Sequence, residues 1–191
     1  MRRPPSPPFP VGVNGRGGRG SPRGYDTPSP EPPPDAVRES SDAANADEPL
    51  PLAAYPLERC AAIAASIARN KADKLAILER NELIQAVWAE LDRHWQDVVT
   101  NENKRGKHRL QDAYDAAWVT QLEDERGALT IVEYAKLLVG TERGSEDTVL
   151  AELGVPRAAM AHLRRFWLKK TSKNVAIARA LREAVERARE E

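Results

Sequence analysis

The chain has 191 residues, with 29 basic and 29 acidic side chains, so its formal net charge is zero. A neutral chain has no overall attraction to nucleic acid or to anionic lipid. The single cysteine excludes an internal disulfide. No stretch stays apolar over the roughly 18 residues that a membrane-spanning helix needs. We therefore expect a soluble, cytoplasmic protein.

Residues 1–51 differ in composition from the rest of the chain. They hold 13 of the 15 prolines and six of the eleven glycines. Five arginines and no acid occur in residues 1–25, whereas residues 26–48 hold seven acids and one arginine. A segment with so few aliphatic side chains cannot bury enough apolar surface to offset the ordering of its backbone. The composition predicts a disordered, low-complexity tail over residues 1–51.

Two short motifs occur in this tail. Asn14–Gly20, with the sequence NGRGGRG, is similar to segments that contact RNA through arginine, although a plain flexible linker is the favoured interpretation. Pro4–Pro10, with the sequence PPSPPFP, is typical of a polyproline II helix that docks on an aromatic groove or acts as a stiff spacer. The spacer is favoured for this second motif.

The composition of the remaining residues favours helix. Four helices are predicted in the first half, at Leu57–Arg69, Lys71–Arg80, Glu82–Thr100 and His108–Glu125. The third is the clearest, because apolar side chains recur every three or four residues along one face. That stripe consists of Ile84, Trp88, Leu91, Trp95 and Val98. The predicted buried side of the fourth helix consists of Leu110, Ala113, Tyr114, Ala117, Gln121 and Leu122.

The second half has clearer helix boundaries. Thr130 and Glu133 have the spacing of a capping box, in which each side chain satisfies a free amide at the start of a helix. Ser145 is predicted to cap the next helix through its side chain. The other boundaries are Gly144 and Gly154 as helix ends, Pro156 as a helix start, and a last helix at about Ser172–Glu190.

Two segments of the chain are similar to each other. Ile77–Trp95 and Val149–Trp167 align without a gap and share six identities in 19 positions, where chance in an alanine-rich chain gives about one or two. The identical pairs are Leu78/Leu150, Ala86/Ala158, Ala89/Ala161, Leu91/Leu163, Arg93/Arg165 and Trp95/Trp167. With one small gap, the alignment extends upstream to place Ala61 against Ala135. It predicts an all-α fold with two tandem copies of a roughly four-helix unit, over residues 52–127 and 128–191.

No catalytic, cofactor-binding or metal site is predicted. Glu90 and His94 lie four residues apart, but one such pair on a helix is typical of a surface ion pair. Cys60 lies in an apolar run without an adjacent base, so we expect a buried and unreactive thiol. The chain has no Walker A or GxSxG motif, and its four tryptophans are expected to pack in the core.

The clearest functional pattern is the segment Val149–Trp167, which is similar to a DNA-binding helix-turn-helix with Gly154 at the turn. Its predicted buried positions are Val149, Leu153, Val155, Met160 and Leu163. Its second helix and the residues after it carry the candidate interaction surface, which is Arg157, His162, Arg164, Arg165, Lys169 and Lys170. Two features oppose DNA binding. Leu150 stands where that motif requires a small residue, and the matching helix of the first copy carries Glu90 and Asp92 instead of cations.

The pattern of Glu133–Ala135, Val149–Val155 and Leu163–Trp167 resembles tandem helical modules of bacterial proteins that are associated with type VI secretion and toxin-delivery gene neighbourhoods. The first copy carries a degenerate version at Arg59–Ala61, Ile77–Leu83 and Leu91–Trp95. Packing residues make up the pattern, so the resemblance implies an accessory or adaptor role and no catalytic residues.

Together these features predict a non-enzymatic helical module that binds a protein partner, and the resemblance implies an association with secretion. We expect no cofactor and no membrane partner. The alternative is a DNA-binding regulator that uses the helix-turn-helix-like segment at residues 149–170. Binding to phosphate weakens steeply as salt is raised, so salt dependence separates the two functions.

Overall fold

The computed structural model describes residues 50–191, and in that range the chain is all-α, with eight helices and no strand. The helices are α1 (Leu57–Arg69), α2 (Lys74–Arg80), α3 (Gln85–Lys104), α4 (Arg109–Arg126), α5 (Ile131–Glu142), α6 (Glu146–Glu152), α7 (Ala159–Lys173) and α8 (Val175–Glu190). A short 3-10 turn at Lys71–Asp73 precedes α2. None of these helices combines the length and the apolarity that crossing a bilayer requires.

The predicted tail lies almost wholly outside the described residues, as do both motifs found in it at residues 4–10 and 14–20. Its last two residues, Leu50 and Pro51, are described. Leu50 packs on an apolar cluster of the helical region, and the carbonyl oxygen of Pro51 accepts a hydrogen bond from the amide of Tyr55 at 3.1 Å. The folded region therefore begins slightly before the predicted boundary.

The start of α1 after Pro56 and the start of α5 at its capping box agree with the predictions. The first helix has the predicted bounds, and Thr130 and Glu133 form the predicted capping box. The Thr130 hydroxyl accepts from the Glu133 amide at 3.2 Å, and the Glu133 carboxylate accepts from the Thr130 amide at 2.8 Å. The predicted side-chain cap at Ser145 is wrong, because its hydroxyl instead donates to the carbonyl of Gly140 at 3.4 Å.

Four helices, α2, α3, α7 and α8, start about three residues later than predicted. One consequence is that a side chain predicted to be buried is exposed. Ile84 was assigned to the buried stripe of the third helix, but it precedes that helix in an extended conformation (φ −86°, ψ 155°) and is 59 % exposed. A residue outside the helix does not follow the face that the helical period defines. Pro156 likewise stands before α7, which begins at Ala159 after a short turn.

Buried apolar side chains form two clusters. The first contains Tyr55, Cys60, Ile63, Ile77, Leu78, Leu83, Trp88 and Leu91. The second includes Ala61 and Ala65 of α1 together with side chains of α4, α5, α6 and α7, among them Trp118, Leu122, Tyr134, Leu150, Leu163 and Trp167. The second cluster contains side chains from both sides of residue 127, so the two predicted copies do not have separate cores.

The order of helix packing is the same in the two halves. α1 packs along α4, and α5 packs along α8. Paired positions of the alignment share burial, since Leu91 and Leu163 are both fully buried, as are Ala61 and Ala135. Descent of the two halves from one duplicated unit remains a prediction, which these similarities favour.

Cys60 is buried, as predicted. Its thiol donates a weak hydrogen bond to the carbonyl oxygen of Tyr55 at 3.5 Å. Burial and the charge of Asp92 raise the pKa of Cys60 to about 11. A thiol with so high a pKa is almost wholly protonated at neutral pH and is a poor nucleophile.

Candidate functional site

The candidate site is built on a carboxylate in the buried side of α4. Trp118, Val119 and Leu122 are buried along one face of this helix, and Asp115 lies on the same face, three and four residues before the first two. Asp115 is 2 % exposed and is the one charged residue that is fully buried in residues 50–191. A charge in such a position requires partners, because removal from water is costly.

Side chains of α7 and α4 supply those partners. The guanidinium of Arg165 donates two hydrogen bonds to Asp115, from Nε to Oδ2 at 2.6 Å and from Nη2 to Oδ1 at 2.8 Å. Nδ1 of His162 lies 2.6 Å from Oδ1, and Nε2 of Gln111 donates to the same oxygen at 3.0 Å. We call these four residues the Asp115 cluster. It joins α7 to α4 across some 50 residues of chain.

The charges of the cluster stabilise one another. Burial alone would raise the pKa of Asp115, but the hydrogen bonds from Arg165 and His162 outweigh it and hold that pKa below its ordinary value. The bond to Asp115 raises the pKa of Arg165 in turn, against a smaller effect of burial. Asp115 and Arg165 are therefore ionised throughout the physiological pH range.

Aromatic rings cover His162. Its imidazole stacks on the indole of Trp118, with the ring centroids 4.7 Å apart and 14° between the planes, and Tyr114 lies beside it with the centroids 5.6 Å apart. The ring edges a cavity of 280 Å³ that is also lined by Gln96, Val99, Thr100, Gln111, Tyr114 and Arg165. Nε2 makes no hydrogen bond to a described residue. An aspartate–histidine pair can act as an acid–base group, but no hydroxyl or thiol of the described residues is hydrogen-bonded to Nε2.

The other four predicted surface residues lie around this cluster. Lys169 is a second link to α4, with its Nζ 2.5 Å from a carboxylate oxygen of Asp112. Arg157 and Arg164 each lie 3.3 Å from an acid near the start of α6, Asp147 and Glu146 respectively. The Nζ of Lys170 lies 4.5 Å from the centroid of the Trp167 ring, within cation–π range.

The six predicted residues therefore do not form one uniform basic surface. His162, Arg165 and Lys169 face the acids of α4, whereas Arg157 and Arg164 face solvent and pair with α6. Ala161, Leu168 and Ser172 are exposed on the same side of α7 as Arg164, at helical spacing. Arg157 is also exposed and lies in the turn just before the helix. We call the surface formed by these five residues the outer face of α7.

Asp112 and Asp115 were not predicted as site residues, although one feature of the sequence pointed to Asp115. Counting back from Leu122 by three, four and seven residues gives Val119, Trp118 and Asp115, so the helical period places the carboxylate on the buried side. The predicted stripe of this helix was displaced by about one residue, and its members Tyr114, Ala117 and Gln121 are only partly buried. A carboxylate on a buried face indicates a partner, but not which helix supplies it.

No group of three or more His, Cys, Asp and Glu side chains is arranged to hold a metal ion in residues 50–191. Comparisons of the chain with models of protein families, with curated proteins and with solved structures find no match. The resemblance to secretion-associated helical modules therefore stays a prediction.

Proposed function

We propose that the chain is a non-enzymatic helical adaptor module that binds a protein partner through the outer face of α7. The observation that carries this proposal is the position of Leu168, which is 70 % exposed on that face, one helical turn after Arg164. The buried side of α7 packs in the core through Leu163 and Trp167, so this face is free for a partner.

The chemistry of the outer face suits a protein better than a nucleic acid. A large exposed apolar side chain gains free energy when a partner removes it from water, and arginine is enriched at protein interfaces. The cations of Arg157 and Arg164 pair at the surface, and such pairs contribute little to stability. Both can therefore exchange an acid of α6 for an acid of the partner. We expect a partner with an apolar pocket for Leu168 and acidic residues at its rim.

DNA binding by residues 149–170 is the weaker alternative. In a helix-turn-helix, the second helix places its side chains in the major groove and its cations against phosphates. Here Arg165 and Lys169 are engaged by Asp115 and Asp112. Binding them to phosphate would break the links between α7 and α4. Arg157 and Arg164 support this alternative, since both remain exposed.

Nε2 of His162 is not hydrogen-bonded to a hydroxyl or thiol of the described residues, and this supports a role without catalysis. An adaptor is also the role that the resemblance to secretion-associated modules implies. In that setting, the partner would be another component of the delivery apparatus or its cargo.

The test compares two leucine variants of the full chain. Leu168→Asp introduces a charge on the outer face of α7, and Leu75→Asp makes the same change on α2, where the leucine is 67 % exposed. Both variants should fold like the wild type, because both side chains are already largely in water. Each is used to capture partners from cells of the source organism, with nuclease and without.

The expected result is a protein that the wild type and Leu75→Asp capture after nuclease treatment and that Leu168→Asp does not. A captured protein that binds both variants equally would rule out this face as the interface. Recovery of DNA alone, lost on raising the salt, would instead support the helix-turn-helix.

A further inference from the structure

A polar cleft of 480 Å³ lies where α1, α2 and α4 meet, in a different part of the fold from the Asp115 cluster. One of its eight lining residues, Ile77, is apolar, and two are arginines, Arg69 and Arg80. Pockets of this size hold small organic molecules. The remaining lining residues are Ser66, Asn70, Asn81, Gln121 and Glu125.

The two arginines have unused hydrogen-bonding capacity. Nη1 of Arg69 is buried and has no hydrogen-bond partner among the described residues. The other guanidinium nitrogens of Arg69 likewise make no hydrogen bond to a described residue, so they remain available to an acceptor in the cleft. Arg80 donates from Nε to the carbonyl of Ala76 at 3.2 Å, and neither arginine forms an ion pair within residues 50–191.

The one acid in the cleft is held by neutral groups. The hydroxyl of Ser66 donates to the carboxylate of Glu125, as do the amide nitrogens of Gln121 at 2.9 Å and Asn70 at 3.4 Å. Glu125 therefore has its hydrogen-bond donors without either arginine. Two cations and one anion leave the cleft with a net positive charge.

The amide side chains of the cleft leave acceptors available. The nitrogens of Asn70 and Gln121 are used by Glu125, and the nitrogen of Asn81 donates to the carbonyl of Ile77 at 2.9 Å. Their three side-chain oxygens make no hydrogen bond to a described residue. A ligand that fits has an anionic group for the arginines and hydroxyl groups for these oxygens.

The geometry points to a binding site for a small phosphate monoester with several hydroxyl groups, of the sugar-phosphate class. Its phosphoryl oxygens accept from Arg69 and Arg80, and its hydroxyls donate to Asn70, Asn81 and Gln121. Arginine suits this role because its planar fork of N–H groups matches the phosphate oxygens. The site is independent of the outer face of α7, so either proposal can fail without the other.

The experiment titrates the full ¹⁵N-labelled chain with glycerol phosphate, ribose phosphate and glucose phosphate. Free glucose, which lacks the phosphate, and inorganic phosphate, which lacks the sugar hydroxyl groups, serve as matched ligands. We expect at least one phosphate ester to shift the side-chain amide signals of Asn70, Asn81 and Gln121. We also expect it to bind more tightly than either matched ligand.

Three variants locate the site. Arg69→Gln and Arg80→Gln should each weaken binding about tenfold or more, and Arg93→Gln, which removes an exposed cation of α3, should leave it unchanged. Should Arg69→Gln fail to fold, Arg69→Lys keeps the charge but loses the fork, and its weaker binding makes the same point. No binding of any ester at about 10 mM, or equal binding by wild type and both arginine variants, would overturn the assignment. Inorganic phosphate that binds as tightly as the esters would also overturn it.

Discussion

The turn between α2 and α3 and the turn between α6 and α7 follow the same backbone course with different residues. Glu82 has φ 58° in the first and Gly154 has φ 61° in the second, and the two residues are paired in the alignment of the two halves. The amide of Leu83 donates to the carbonyl of Leu78 at 2.9 Å, and the amide of Val155 donates to that of Leu150 at the same distance. Glycine is therefore not what determines this turn.

The flanking apolar side chains explain how a glutamate comes to adopt the left-handed conformation. Leu78 and Leu83 are buried in the first cluster, and Leu150 and Val155 are buried in the second. For both leucines of the first turn to be buried, and likewise Leu150 and Val155 of the second, the chain must change direction sharply at the single residue before the second member of each pair. Packing thus imposes the conformation, and the residue at the turn only alters its strain.

The helices that follow the two turns differ in their surroundings. Arg93 of α3 and Arg165 of α7 are paired in the alignment, but Arg93 is exposed without an ion pair to a described residue, whereas Arg165 binds Asp115. The difference follows from neighbours, because α7 packs on α4 of the preceding half and α3 has no such helix before it in residues 50–191. Identical residues in the two halves therefore have different roles.

The largest expected effect is a loss of stability that differs between the two tryptophans paired in the alignment, Trp95 and Trp167. Trp167 is 1 % exposed and stacks on Tyr134 with the ring centroids 4.8 Å apart, so Trp167→Ala should lower the free energy of unfolding by about 3–5 kcal/mol. Trp95 is only partly buried and donates from Nε1 to the carbonyl of Tyr55 at 3.1 Å, so Trp95→Ala should cost about 2 kcal/mol. Urea denaturation measures both. Equal costs would contradict the difference in burial.

The second prediction concerns the paired arginines. Arg165→Met leaves the buried carboxylate of Asp115 with His162 and Gln111 alone, and should lower the free energy of unfolding by about 3 kcal/mol. Arg93→Met changes an exposed side chain without a partner and should alter it by less than about 0.5 kcal/mol. The same urea series compares them. A small loss of stability in Arg165→Met would mean that water already reaches Asp115 and supplies hydrogen bonds to its carboxylate.

The third prediction is that the stability contributed by Asp115, the partner of Arg165, depends on pH. Arg93 has no such partner among the described residues, so no corresponding dependence is expected in the first half. The pKa of Asp115 is below its ordinary value of 3.8, so the folded state binds fewer protons at this group than the unfolded state does. Its stabilising contribution is present in full above the ordinary value and is lost as the pH falls through the lowered pKa. The difference in unfolding free energy between wild type and Asp115→Asn should therefore shrink with acidification. Denaturation of both proteins from about pH 6 to about pH 2.5 measures it. A constant difference would show that Asp115 has an ordinary pKa.

These comparisons also show how far the sequence predicts the structure. The helices follow from local features, such as Pro56 before α1 and the capping box of α5, because caps and apolar periodicity act within a few residues. The turn at Glu82 was not predicted to match the turn at Gly154, since no glycine marks it. A conformation imposed by the packing of distant elements leaves no local signal.

The candidate site was only partly predictable for the same reason. The residues of α7 were named from their basic character, but which of them face α4 depends on the register between the two helices, whose contacting residues are 50 and 57 positions apart. The spacing of Asp115 from Trp118 and Leu122 could have placed it on the buried side of α4, but nothing in the sequence paired it with Arg165. Residues of one helix can be placed on a face from sequence, but contacts between helices require the fold.

The smallest expected effect tests the matched turns directly. A left-handed conformation costs a residue with a side chain about 1 kcal/mol relative to glycine. Glu82→Gly should therefore raise the free energy of unfolding by up to about 1 kcal/mol, less the entropy that glycine adds to the unfolded chain. Gly154→Ala should lower it by about 1 kcal/mol, and strain alone explains this loss, because a Cβ at Gly154 meets no atom within 4 Å. Urea denaturation of the two single variants and of the double variant provides the measurement. Opposite signs, with additive effects in the double variant, would show that two equivalent turns are imposed by packing. If Glu82→Gly destabilises instead, the glutamate is not strained, and the two turns are not equivalent.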